Sequence, residues 1–168
     1  MSTAFELALT DRSLLREQLL VNGEWVDGEH GERDPVLDPA TGEQIASVAR
    51  GTRADARRAI EAADAAQREW ARLNAKRRSQ LLRAWHDLIV ANADDLAAIL
   101  TAEQGKPLAE ARGEILYGAG FIEWYAEEAK RAYGEVTPSP FDDRRLLTIK
   151  KPVGVCAAIT PWNFPMGM

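Results

Sequence analysis

With 168 residues, of which 46% are hydrophobic and 28% charged, the chain has the make-up of a globular protein large enough for a core. Its 26 acidic and 21 basic residues leave a formal net charge of −5, which offers no electrostatic footprint to nucleic acid or to an anionic membrane. A single cysteine, Cys156, rules out an internal disulfide framework and suits a reducing, cytoplasmic compartment.

The opening stretch, MSTAFELALTDRSLLREQLL, carries Glu6, Asp11 and Glu17 and has no apolar centre, unlike a secretory signal. To about Asp11 it reads as surface chain. LLVNGEWVDG then sets Asn22-Gly23 between apolar stretches, the pattern of a hairpin whose type I′ turn needs φ > 0 at both central residues. A second turn cluster, DPATGE from Asp38 to Glu43, leads into a short strand over about Ile45 to Ala49.

From Thr52 the period changes. Thr52 with Asp55 is a capping-box signature, and Ala56, Ala59, Ile60, Ala63 and Trp70 form one helical stripe. Asn74 opens a second helix with Leu81, Leu82, Trp85, Leu88 and Ile89 along one face. Asn92 and Asp95 start a third, through Leu96, Ile99 and Leu100, which stops at Gly105 before Pro107. Pro107 then suits the first turn of a long fourth helix. Its inward stripe runs through Ala111, Ile115, Gly118, Ile122, Tyr125, Ala129 and Ala132 and ends at Gly134, with Gly118 and Gly120 as candidate close-approach positions.

TPSPFDD, from Thr137 to Asp143, reads as a linker, and RLLTIKKPVGVCAAI as two strands broken at Pro152. The second, Val153 to Ile159, is apolar on both faces, as in a helix-covered parallel sheet. At seven residues it is also the longest apolar run, short of the ~20 that span a bilayer.

Candidate chemistry is sparse. Cys156 sits between apolar neighbours and reads as a buried structural thiol. His30 and His86 have no partner at ligand or triad spacing and read as surface residues. Neither CxxC nor HxxxH is present to suggest a metal site. GAGFIE, from Gly118 to Glu123, lacks the third glycine of a dinucleotide fingerprint and falls inside a helix, so its glycines read as packing positions. The carboxylates Glu103, Glu110, Glu114, Glu123, Glu127 and Glu128 read as a solvated face.

Asn163 differs. In ITPWNFPMGM its backbone is bracketed by Pro161 and Pro165, so its amide is either a preorganised oxyanion donor or a turn asparagine bonding its own backbone. The residues alone leave the two level.

TPWNFP resembles the cofactor-and-oxyanion segment of the NAD(P)-dependent aldehyde dehydrogenases. VNGEWVDG, DPATGEQIASV and EQGKPLAEARGEI are similar to the aminoterminal part of that superfamily. FIEWYAEEAKRAYGE with KKPVGVCAAITPWNFP is closest to its bacterial succinate-semialdehyde dehydrogenase branch.

The resemblance implies an α/β fold: residues 1–168 as the aminoterminal part of a single aldehyde dehydrogenase domain. It would hold an incomplete Rossmann-like cofactor domain, with residues 144–151 joining the oligomerisation sheet of a homodimer or tetramer and the catalytic domain absent. It also implies oxidation of succinate semialdehyde, a small aldehyde, to succinate in 4-aminobutyrate degradation, with NADP or NAD reduced. Asn163 would be the oxyanion donor, and Ile159, Thr160, Pro161, Trp162 and Asn163 would contact the cofactor. Phe164 and Met168 would line the substrate tunnel. The family's nucleophilic cysteine and general-base glutamate lie downstream of PWNFP, so Cys156 is not that nucleophile and this chain alone is expected to be inactive. Two alternatives remain: a glutarate-semialdehyde dehydrogenase, or a non-catalytic helical module.

Overall fold

The computed structural model describes residues 7–168; the reading of the first six residues, Glu6 among them, as surface chain without a signal lies outside the described residues. Beyond them Thr10 and Asp11 are tied down. Both donate backbone N–H groups to the Asp95 carboxylate, at 3.0 and 2.7 Å.

Two antiparallel hairpins follow. β1 (Leu19–Val21) pairs with β2 (Glu24–Val26) across Asn22 and Gly23, whose φ angles of 54° and 79° meet the type I′ requirement. β3 (Arg33–Leu37) pairs with β4 (Gln44–Ala49) around the Asp38–Glu43 turn, where Asp38 Oδ1 accepts the Ala40 N–H at 2.7 Å. β3 carries Pro35 and has a single neighbour among the described residues, β4, as the missing proline N–H allows.

α1 (Arg53–Trp70) begins at the capping box. Thr52 Oγ1 accepts the Ala54 and Asp55 N–H groups, while Asp55 accepts the Thr52 N–H at 2.8 Å and the Glu29 N–H at 3.1 Å. Asp55 is buried, and those two backbone bonds, foremost the one from Thr52, hold its pKa down to about 2. The apolar stripe of α1 is another matter: Ile60 and Trp70 lie exposed. Periodicity places residues on one face, but a face is buried only where a second element covers it.

α2 (Ala75–Ala91), α3 (Ala93–Gln104) and α4 (Leu108–Glu128) make the core. Ala93, Ala97 and Leu100 of α3 meet Ala111, Ile115 and Ala119 of α4, with Ile89 of α2 closing the cluster. Alanines at these contacts let the helix axes approach closely, so few large side chains are needed.

Several expectations need correction here. On α2, Leu81, Trp85 and Leu88 are exposed, while Ser79 and Ile89 are buried. The polar Ser79 and His86 lie on the covered side because α4 approaches one stripe round from the most apolar one. His86 is accordingly not a surface residue: its side chain is 17% exposed, with Nδ1 2.9 Å from Asp87 Oδ1. Tyr125 points outward, and α4 ends at Glu128, giving way to a 3-10 turn over Ala129–Arg131.

β5 (Glu135–Thr137) and β6 (Leu146–Thr148) form a third hairpin. After it the chain forms no regular element up to the Pro161 turn. The strand expected over Val153 to Ile159 does not form, and Val153 and Ile159 are 94% and 100% exposed. An apolar β-sequence becomes a strand only beside another, and no neighbouring strand reaches it among the described residues. For the same reason Cys156 is exposed instead of buried. It borders an open cleft of about 570 Å³ with Ala63, Trp70, Leu73 and Val155.

Candidate functional site

The Pro161–Pro165 turn is docked on α4 by its carboxyl side. Phe164 N–H reaches the Pro161 carbonyl at 3.3 Å, closing the turn around Trp162 and Asn163. Just beyond it, the Met166 and Gly167 N–H groups donate to Glu114 Oε1 at 3.0 and 3.2 Å. Met166 then rests on Gly118: a Cβ there would collide with the Met166 carbonyl oxygen and lie 3.0 Å from Met166 Cγ. Here glycine is required by space. Gly120 has open space where its Cβ would be, so of the two candidate close-approach positions only Gly118 serves.

Glu114 is the centre of this docking and is not the solvated carboxylate its charge suggests. Its side chain is 2% exposed and that of Lys106, its ion-pair partner, 10%. Lys106 Nζ hydrogen-bonds Glu114 Oε2, donates to the Asn163 carbonyl at 3.0 Å, and stands 4.1 Å from the Phe164 ring centroid. Buried charges are tolerated when paired and hydrogen-bonded: Glu114 accepts from Lys106, Met166 and Gly167, and Lys106 donates to Glu114 and to the Asn163 carbonyl. Burial pushes the Glu114 pKa up, but the bonds from Lys106, Met166 and Gly167 outweigh it and leave the pKa below the ordinary glutamate value.

Asn163 itself is held through its main chain. Its side-chain amide makes no hydrogen bond among the described residues and the residue is exposed, so the turn does not satisfy it locally. Ile159, Thr160 and Pro161 run exposed into it, and Trp162 is 81% exposed.

The structure therefore places Ile159, Thr160, Pro161, Trp162 and Asn163 in one exposed row. It does not bring Phe164 and Met168 into one cavity. Phe164 lies under Lys106, while Met168 joins Trp85, Phe121, Ile122 and Tyr125 around a separate apolar cleft of about 460 Å³.

Lys106 and Glu114 are the residues that sequence reasoning passed over. A signal existed. Glu114 lies three residues after Ala111 and four before Gly118, on the buried stripe of α4, where an ionised group needs a partner.

The Aldehyde dehydrogenase family model matches residues 25–168. A glutarate-semialdehyde dehydrogenase of Pseudomonas putida is 56% identical over 162 residues, covering 96% of this chain and 34% of its own length. A succinate-semialdehyde dehydrogenase [NADP(+)] of Escherichia coli is 51% identical over the same shares. Among solved structures, an aldehyde dehydrogenase from Brucella melitensis biovar abortus superposes with a TM-score of 0.94 at 56% identity, over 96% of this chain and 34% of that one. The chain spans about a third of the length of the curated relatives it matches. The family model covers most of the chain and the backbone superposes on a solved member over nearly its whole length, so the chain belongs to the aldehyde dehydrogenase family.

Proposed function

We propose that this chain is the aminoterminal segment of a cytoplasmic NAD(P)-dependent dehydrogenase that oxidises a short semialdehyde to the dicarboxylate, succinate semialdehyde to succinate in the first instance. The observation that carries the reading is Asn163: its backbone is anchored to Lys106 while its side-chain amide is left unbonded and exposed. Anchoring the backbone in this way lowers the reorganisation needed when negative charge develops on the aldehyde oxygen under nucleophilic attack.

The donor set before it fits a dinucleotide. Thr160 and Ile159 have main-chain groups without a partner among the described residues, and Trp162 supplies a flat, exposed face. These residues and Asn163 would hold the cofactor's edge, Pro161 keeping the backbone before Trp162 rigid. When bound, the nicotinamide supplies the hydride acceptor. Phe164 and Met168 would border the aldehyde, and the nucleophilic cysteine and the general base belong to sequence beyond this segment. β6 and the residues around it, 144–151, present exposed Leu147 and Ile149 and would extend a sheet shared between subunits of a homo-oligomer.

Glutarate semialdehyde is the second reading, favoured by the 56% identity to the Pseudomonas putida protein of that name. Both substrates are short aldehydes ending in a carboxylate. The test is turnover by the whole polypeptide in which this segment occurs, with each semialdehyde and with NAD+ or NADP+. The higher kcat/KM names the substrate, and no reduction of either cofactor with any aldehyde overturns the proposal. The 168-residue chain alone is expected to give none.

A further inference from the structure

We infer that Lys106 and Glu114 are positioning residues for Asn163, a buried ion pair that sets where the proposed oxyanion donor stands. The inference rests on the role proposed above for Asn163 and adds how that role is enforced.

The turn is bonded to the helices at Asn163 and on its carboxyl side. Lys106 grips the Asn163 carbonyl, and Glu114 grips the next two free N–H groups, those of Met166 and Gly167. Phe164, between these anchor points, is covered by the Lys106 ammonium.

The two anchors are one unit, because Lys106 and Glu114 bond each other and neither is stable alone in so covered a site. Lys106 follows the end of α3 and Glu114 sits two turns into α4. The clamp therefore refers Asn163 to the junction of two core helices. Donor placement at this level matters, since a misplacement near 1 Å can cost ~10²-fold in rate.

The test uses the whole polypeptide and two readouts. The first is amide hydrogen exchange, resolved to residues 163–168 and, as a fold control, to residues 111–122. Lys106→Met and Glu114→Ala are expected to speed exchange over 163–168 by roughly tenfold, the equivalent of one lost backbone bond, and to leave 111–122 unchanged. Glu114→Gln, which keeps the size and one acceptor oxygen, falls between. The second readout is kinetic: kcat drops about 10–100-fold with the KM for cofactor unchanged, and adding Asn163→Ala to Lys106→Met lowers kcat no further than Asn163→Ala alone. Unchanged exchange over 163–168 overturns the inference, as do rate losses that multiply in the double variant. Loss of protection throughout 111–122 in Glu114→Gln overturns it too, marking the pair as part of the general core. If the unmutated protein turns over no aldehyde, the functional reading fails first, and the exchange data still report whether the clamp exists.

Discussion

Met166 packs its backbone directly on Gly118, and no side chain at that position would leave room for it. One turn earlier on the same face, Glu114 accepts the Met166 N–H at 3.0 Å. One residue is thus bonded from one side and packed from the other, and that is how the last residues come to rest on α4.

Gly118 and Gly120 are therefore expected to respond oppositely to alanine. Gly118→Ala drives a methyl into the Met166 carbonyl and should cost about 1–3 kcal/mol, the usual range for overpacking. Gly120→Ala meets open space in an α-helix and should stabilise by about 0.5–1 kcal/mol. Urea unfolding of the two variants checks this, and shifts of the same sign would contradict the packing described.

Asp55 sets an acid limit on the start of α1. Its folded pKa of about 2 lies below the unfolded value of 3.8, so its contribution is complete above pH 3.8 and fades as pH falls towards 2. A carbon-detected titration of the Asp55 carboxyl should give a midpoint near 2, with the Thr52 and Glu29 amides losing protection in step. A midpoint near 4 would mean the cap is not formed as described. Asp55→Ala should expose both amides at neutral pH.

Cys156 is exposed, so it should react with a maleimide or an aromatic disulfide in the folded chain, without denaturant. Labelling only after unfolding would show that the segment is covered in solution. Trp70 borders the same cleft, and its fluorescence should change on labelling.

Asn163→Ala in the whole polypeptide should lower kcat by about 10²–10³, the usual cost of one oxyanion donor, with stability little changed because its side chain makes no hydrogen bond among the described residues. Unaltered kcat in this variant would remove Asn163 from the chemistry.

Local devices were legible from the residues. The Asn22-Gly23 turn, the Thr52–Asp55 capping box, the Asn74 cap and the Gly105 stop all formed as read. Each is decided within a few residues by backbone sterics and hydrogen bonds that need no distant partner. PWNFP also closed into a turn, since two prolines restrict it from both ends.

Which faces are covered was a tertiary matter. Trp85, Leu88 and Ile60 keep helical spacing and yet face outward, and Val153 to Ile159 has strand composition and no strand. A period records which residues share a face. Whether that face is dry depends on a neighbour that a one-dimensional pattern does not contain.

The sequence by itself determined the turns, the caps, four helices and a PWNFP loop carrying a constrained asparagine. Only the tertiary structure decided that Lys106 and Glu114, 57 and 49 residues before Asn163, meet beneath that loop as a buried pair. In sequence they read as two charges among many. Once α3 and α4 fold back on each other, water is excluded between them, and two charges without water must find each other and every remaining donor and acceptor nearby.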